Sequence, residues 1–315
     1  MRLVFCGTPQ FAVPSLRRLV DAGFEVALVV TQPDRPQGRG LNLAAPPVKL
    51  IAQELGLQVI QPEKIKTNRD FQDQLEQLQP AAIIVVGYGR LIPLWMLNLP
   101  PLGNINAHAS LLPKYRGAAP IQWAIAQGET VTGVTTMLLN EGLDTGDILL
   151  QEEIRIVPED TAVTLAPRLA ELGAALLVKT LHGLEAGNVH PDPQDHSCAT
   201  LAPILTKEDG RVDFSLPATQ IHNRLRGFQP WPGATTQFRG KGLKIIVARP
   251  SSSSVPVLPP GEMRWHEAQL LVGCGSGTTL ELLQVQPEGK KPITTGEFVS
   301  GYRPATGERL GEVVP

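Results

Sequence analysis

In the first half of the chain, short apolar runs alternate with amphipathic helical stretches, and no other feature restricts the fold as much. The runs RLVFC, EVALVV, QVI and AAIIVV read as strands. Between them lie helical patterns: one beginning near Pro14, then PPVKLIAQELGL, ended by Gly56, and then RDFQDQLEQL. Strand and helix in alternation build a parallel, doubly wound sheet, because each helix covers a face while returning the chain for the next strand. AAIIVV (Ala81–Val86) carries no polar residue, as expected of a strand buried on both faces. Ligands of such sheets bind beyond the carboxyl ends of the strands.

Downstream, VTGVTTMLL and DILLQEEIRI are strands, and TAVTLAPRLAELGAALLVKTLHGLEAG is a long helix closing a first domain of residues 1–188. Asn188 to Pro203 holds three prolines and little periodicity, so 189–205 reads as a linker. Residues 206–315 show one short helix, PATQIHNRLRGF, and short strands separated by Gly, Pro and Ser, the pattern of a small β-barrel. Up to residue 205 there are 15 Lys and Arg against 20 Asp and Glu; beyond it, 13 against 10. A mildly basic domain thus follows an acidic one, an asymmetry suited to a polyanionic partner. The net charge of −2 excludes a strongly basic, histone-type nucleic-acid binder. Cys6, Cys198 and Cys274 are scattered without metal-like spacing, as reduced thiols in a cytoplasmic protein would be. MRLVFCG opens directly as a strand rather than as a signal peptide. AAIIVV is too short to span a bilayer, so a soluble chain with no membrane partner is expected.

The chemistry concentrates in NINAHASLLPKYRGAAPIQ, Asn104 to Gln122. With Gly103 to Ala109 as a strand, Ile105, Ala107 and Ala109 point one way and Asn104, Asn106, His108 and Ser110 the other. A polar row on a central strand is either hydrogen-bonded for structure or used. Its company favours use: Asn106 and His108 share a face at a carboxyl strand end, a Leu-Leu-Pro break and a Gly117 loop follow, and Asp144 lies in another loop, NEGLDTGD. Amide, imidazole and carboxylate together suit transfer of an acyl group to an amine: two groups steady a tetrahedral oxyanion, and the carboxylate orients the imidazole. No GxSxG elbow is present, so direct transfer is expected rather than an acyl-enzyme. DTG alone is no aspartic-protease site, since that chemistry needs two carboxylates. LLVGCGSGTTLELL resembles the glycine loop of an S-adenosylmethionine-dependent methyltransferase but lacks the strands and helices such a loop requires, and reads as a turn in the β domain. The loop TQPDRPQGRG, with Arg35 and Arg39, is either a solvated turn or a contact for a phosphate backbone.

At these residues the sequence resembles the methionyl-tRNA formyltransferases. FCGTPQFA, TQPDRPQGRG, NINAHASLLPKYRGAAPIQWAI, GVTTMLLNEGLDTGDIL and FQPWPG occur in that family's order across nearly the whole chain. Two departures stand out: Gln229 where the family commonly has Asn, and Leu41-Asn42-Leu43 where relatives often carry lysines. The resemblance implies a Rossmann-like α/β domain with a mostly parallel sheet and a smaller C-terminal OB-like β-barrel, residues 206–315, that helps hold tRNA. It implies Asn106, His108 and Asp144 as the catalytic set and Ser110, Leu111, Leu112 and Pro113 as the segment meeting the folate. The formyl donor would be 10-formyltetrahydrofolate, the acceptor initiator methionyl-tRNA, and Arg35 and Arg39 would contact the tRNA. No metal and no obligate protein partner are expected. The alternatives are a folate-dependent formyltransferase acting on a small amine, and a non-catalytic RNA-binding protein on the same fold; the second predicts loss of at least one of the three catalytic residues.

Overall fold

β1 (Arg2–Gly7) lies in the interior of a seven-stranded sheet, because the chain first winds outward to one side of it and then to the other. The computed structural model describes residues 1–37, 42–252 and 257–311. On one side of β1 stand β2 (Glu25–Val30) and, beyond a hairpin of β3 (Arg35–Gln37) and β4 (Asn42–Ala44), the short β5 (Val59–Ile60). On the other side stand β6 (Ala82–Val86), β7 (Asn104–His108), β8 (Val131–Leu138) and β9 (Ile148–Arg155). The order is β5-β2-β1-β6-β7-β8-β9. All pairings from β5 to β7 are parallel, whereas β7–β8 and β8–β9 are antiparallel. The nine residues joining β8 to β9 are too few for a parallel crossover, which takes about a dozen or more.

The helices, beginning with α1 (Val13–Asp21) and α2 (Pro47–Glu54), explain the apolar character of the central strands. β6 is buried at every position, and Val4, Cys6, Leu28, Ile83 and Val85 pack with Phe71 and Leu75 of α3 (Arg69–Leu78). Each such side chain contributes about 1.5–3 kcal/mol relative to exposure. α3 starts where Asn68 accepts the Phe71 N–H at 3.1 Å, satisfying one of its otherwise unpaired first-turn donors. A 24-residue helix, Ala162–Glu185, crosses β7 and β8 at Gly173, where an added Cβ would lie 3.3 Å from Val134 and 3.9 Å from Ala107. That helix covers the apolar face of β7 and leaves the face of Asn106 and His108 to loops. No helix among the described residues is long and apolar enough to cross a membrane.

The chain divides into two compact units, residues 1–120, 131–155 and 166–203, and residues 121–130, 156–165 and 204–315. The stretch expected as a linker, 189–205, is therefore built into the first unit as far as Pro203. Ile148 and Asp192 exchange backbone hydrogen bonds, and Ala202 N–H donates to the Arg116 carbonyl at 2.7 Å. Polar and backbone contacts hold it, which is why no apolar periodicity marks it.

The second unit is an antiparallel sheet of six strands in the order β10-β11-β14-β13-β12, with β15 beside β14. These are Ala234–Phe238, Lys241–Pro250, Met263–His266, Gln269–Gly273, Thr279–Pro287 and Ile293–Thr294, numbered in chain order from β10. The glycine-rich stretch after Gly273 is the β13–β14 hairpin turn. A helix over Ala218–Gly227 and another over Thr295–Tyr302, opened by a Thr294–Glu297 capping box, pack on the sheet around Phe214, Leu225, Phe238, Leu282 and Phe298. Of the three cysteines, Cys6 and Cys274 are buried and Cys198 is exposed.

Candidate active site

The polar row of β7 separates by role once its partners are known. Asn104 is buried and its amide donates to the carbonyls of Met96 (2.9 Å) and Leu97 (3.1 Å), tying off a short helix, Leu94–Leu97. Ser110 is buried and its hydroxyl donates to the Lys114 carbonyl at 2.6 Å. Asn106, between them and half-buried, has a side-chain amide with no hydrogen-bond partner among the described residues. An amide of that kind, with two donors and an acceptor uncommitted, is available to a ligand.

His108 is fixed on one side by the chain itself. Its Nε2 lies 2.9 Å from the Tyr115 carbonyl, an obligate acceptor, so Nε2 carries a proton and donates. Nδ1 is left facing the Asp144 carboxylate, 3.7 Å from Oδ2, with the two side chains only 7% and 14% exposed. A proton arriving at Nδ1 meets an anion in a poorly solvated place. Asp144 reaches this point on the loop joining β8 to β9. Leu139 N–H donates to the Asn104 carbonyl, so the loop starts four residues below His108 and runs along the sheet face to it, roughly 13 Å at strand rise. Asp144 has φ 51°, a left-handed conformation uncommon outside glycine, and its Oδ2 accepts the Gly117 N–H at 2.8 Å. Gly117 itself has φ 121°, and a Cβ there would sit 2.7 Å from the Ala202 carbonyl oxygen.

The Ser110–Pro113 segment is organised from β8 and β9. Thr135, fully buried, donates from Oγ1 to the Ser110 carbonyl (2.7 Å) and accepts from Leu112 N–H (3.1 Å) and Gln151 Nε2 (2.9 Å). Gln151 Nε2 also donates to the Leu112 carbonyl at 2.8 Å. Among the described residues the Leu111 N–H has no partner, so this segment presents one free backbone donor beside Asn106 and His108.

Arg35 is exposed on β3, its guanidinium 3.4 Å from Gln32 Oε1, and is not brought to Asp144 or His108 by any contact. Next to it Asp34 pairs with Lys49 at 2.8 Å and accepts from Gln61, and these partners, Lys49 first, hold the Asp34 carboxyl below its usual range. Arg39 and Leu41 lie outside the described residues, and Leu43 is 73% exposed. Sequence reasoning missed Thr135, Gln151, Arg116 and Gln194. Thr135 and Arg116 lie inside the quoted motifs GVTTMLLNEGLDTGDIL and NINAHASLLPKYRGAAPIQWAI, which do not say which of their polar residues organise the site; Gln151 is a polar strand residue outside them, and Gln194 is in the proline-rich stretch, where nothing in the sequence marks it. No group of three or more His, Cys, Asp and Glu among the described residues is disposed to hold a metal ion.

Residues 1–181 match the family described as formyl transferase, and residues 204–303 match its C-terminal domain. The chain is 63% identical over 313 residues to the methionyl-tRNA formyltransferase of Koribacter versatilis, covering 99% of both chains. It is 59% identical over 314 residues to that of Acidobacterium capsulatum, covering 99% of this chain and all of the other. Among solved structures, the N-formyltransferase of Helicobacter canadensis, in complex with folinic acid and dTDP-3-aminofucose, superposes with a TM-score of 0.65 at 19% identity over 90% of this chain and 98% of that one. WlaRD, a sugar 3N-formyl transferase, does so at 0.67 and 17% over 92% and 99%. At these identities the structural likeness is one of fold, while the sequence likeness extends from end to end. The chain belongs to the methionyl-tRNA formyltransferase family.

Proposed function

We propose that this enzyme transfers the formyl group of 10-formyltetrahydrofolate to the α-amino group of initiator methionyl-tRNA, giving formylmethionyl-tRNA for translation initiation in the cytoplasm. The observation that carries the reading is an uncommitted Asn106 amide beside a His108 whose free nitrogen faces Asp144 at 3.7 Å. The amine attacks the formyl carbon, and the C–O bond electrons move onto oxygen as a tetrahedral intermediate forms. Asn106, and His108 when it carries a second proton, stabilise that oxyanion, each such donor being worth about 10²–10³ in rate. The attacking nitrogen loses a proton and the departing folate nitrogen gains one, with Asp144 and His108 as carriers. Collapse of the intermediate breaks the bond to the folate nitrogen and releases tetrahydrofolate. Ser110, Leu111, Leu112 and Pro113 meet the folate through backbone groups, the free Leu111 N–H among them. Arg35 and Arg39 contact tRNA phosphates, helped by the basic stretch 206–315.

The test follows labelled formyl from 10-formyltetrahydrofolate to methionyl-tRNA, to a glycinamide ribonucleotide and to an amino-sugar nucleotide. Transfer to methionyl-tRNA alone is expected. Transfer to a small amine with none to methionyl-tRNA would overturn the reading in favour of the small-amine enzyme.

A further inference from the structure

Asp144 is held from behind as well as in front. Gln194, only 6% exposed, donates from Nε2 to the carbonyls of Asp144 (3.0 Å) and Gly146 (2.6 Å). Its Oε1 accepts from Nε (3.1 Å) and Nη2 (2.6 Å) of Arg116, a guanidinium also 6% exposed. Nη2 of Arg116 is in addition 3.0 Å from Nδ1 of His196. The amide has one orientation that fits, nitrogen to the two carbonyls and oxygen to the guanidinium, so a single side chain joins the loop of Asp144 to the segment of His108's carbonyl partner Tyr115 and of Gly117. The loop needs such a tie. Asp144 is left-handed, and at Gly146 a Cβ would fall 1.8 Å from the Leu138 carbonyl oxygen, so the backbone is folded back on β8 at a point no ordinary turn residue reaches.

We propose that Gln194 is a positioning residue for catalysis: it acts through Asp144, setting the carboxylate against His108, with Arg116 fixing its amide. The proposal rests on the catalytic role given above to Asp144. Gln194→Glu separates the two halves of the contact. A carboxylate keeps, and strengthens, the acceptor for Arg116, but it offers the Asp144 and Gly146 carbonyls oxygen instead of N–H. Gln194→Met, of similar length and apolar, removes both halves.

The experiment is single-turnover formyl transfer to methionyl-tRNA by full-length enzyme, for wild type, Gln194→Glu, Gln194→Met, Asp144→Asn and the Gln194→Glu/Asp144→Asn double variant. Both Gln194 variants should slow the transfer step by about 10–100-fold, as a misplacement of about 1 Å does. The KM for each substrate should stay within about twofold, since binding groups are untouched. In the Asp144→Asn background the Gln194→Glu change should cost less than about twofold, because its effect passes through the carboxylate already removed. A Gln194→Glu enzyme keeping more than half the wild-type rate would overturn the proposal, as would a loss that multiplies in full with that of Asp144→Asn. So would losses in both variants that match their loss of folded protein by circular dichroism. An Asp144→Asn enzyme of undiminished rate would overturn the catalytic role of Asp144, and this proposal with it; a slow Asp144→Asn beside a fast Gln194→Glu would overturn this proposal alone.

Discussion

Replacing Thr135 by valine tests whether one hydroxyl organises the folate-facing segment. The two side chains have nearly the same shape, so the core around this fully buried position is kept and the change is confined to Oγ1. Three hydrogen bonds disappear, to the Ser110 carbonyl, the Leu112 N–H and Gln151 Nε2. Gln151 keeps its other acceptor, the Leu112 carbonyl, which leaves two backbone groups stranded. A buried polar group without a partner costs about 1–3 kcal/mol, so the expected loss is about 2–6 kcal/mol. Thr135→Ser is the control: it keeps the oxygen, drops one methyl and costs about 1 kcal/mol. Urea unfolding followed by far-UV circular dichroism reads the difference. At a slope of about 2 kcal/mol per molar urea, the valine variant should lose at least about 1 M in midpoint and the serine variant about half of that. The valine variant should also show a raised KM for 10-formyltetrahydrofolate, because Ser110–Pro113 has lost its tether. A valine variant as stable as the serine one, or more so, would refute the reasoning.

Asn106→Ala should leave the urea midpoint unchanged, since the amide has no partner to lose, while lowering turnover by about 10²–10³; Asn104→Ala should do the reverse, losing about 1–3 kcal/mol of stability with a far smaller effect on turnover. His108→Ala should lower turnover by about 10²–10⁴ with folate affinity retained, as read by single-turnover kinetics and equilibrium binding. Burial, and then the nearby Arg226, push the His222 imidazole below its ordinary value of 6.5, so the unfolded chain binds a proton there that the folded one refuses. Stability is therefore full above pH 6.5 and falls as pH drops below it towards the lowered folded value; in His222→Asn, whose amide can still reach the Ala248 carbonyl, urea midpoints between pH 7 and 5.5 should fall less than in wild type. Arg39→Ala should reduce kcat/KM for methionyl-tRNA and lower the log–log salt slope by about one, with Arg35→Ala acting in the same direction; an unchanged slope in both would place the tRNA phosphates elsewhere.

What the sequence makes legible follows the physics of each element. β6 is readable because a strand covered on both faces has no polar position, and α3 is readable to the residue because Asn68 caps it and its apolar residues recur at helical spacing. The second unit is readable as small and β-rich because turn residues punctuate short apolar strands. In the candidate site, alternation along β7 and just past its end marks four polar residues alike. Only their partners distinguish Asn104 and Ser110, which hold neighbouring backbone, from Asn106 and His108, which face Asp144 and the open side. Gln194 could not be found this way: its partners are the carbonyls of residues 144 and 146, and a carbonyl leaves no trace in a sequence. The antiparallel pairing of β8 with β7 is equally silent, since a buried strand reads the same in either direction and a helix lies between the two.

The different burial of the three cysteines makes the native protein self-selecting for chemical labelling. Burial raises the Cys6 thiol far above its ordinary range and the Cys274 thiol to about 12, so neither offers a thiolate to a maleimide at neutral pH. Cys198 is exposed, within 3.3 Å of Asp195 and two residues from His196, which touches Arg116. A fluorophore attached to the unmutated enzyme would therefore go to one position, on the segment that carries Gln194. Its emission would report, without any engineered site, how that segment responds as folate and tRNA arrive in turn.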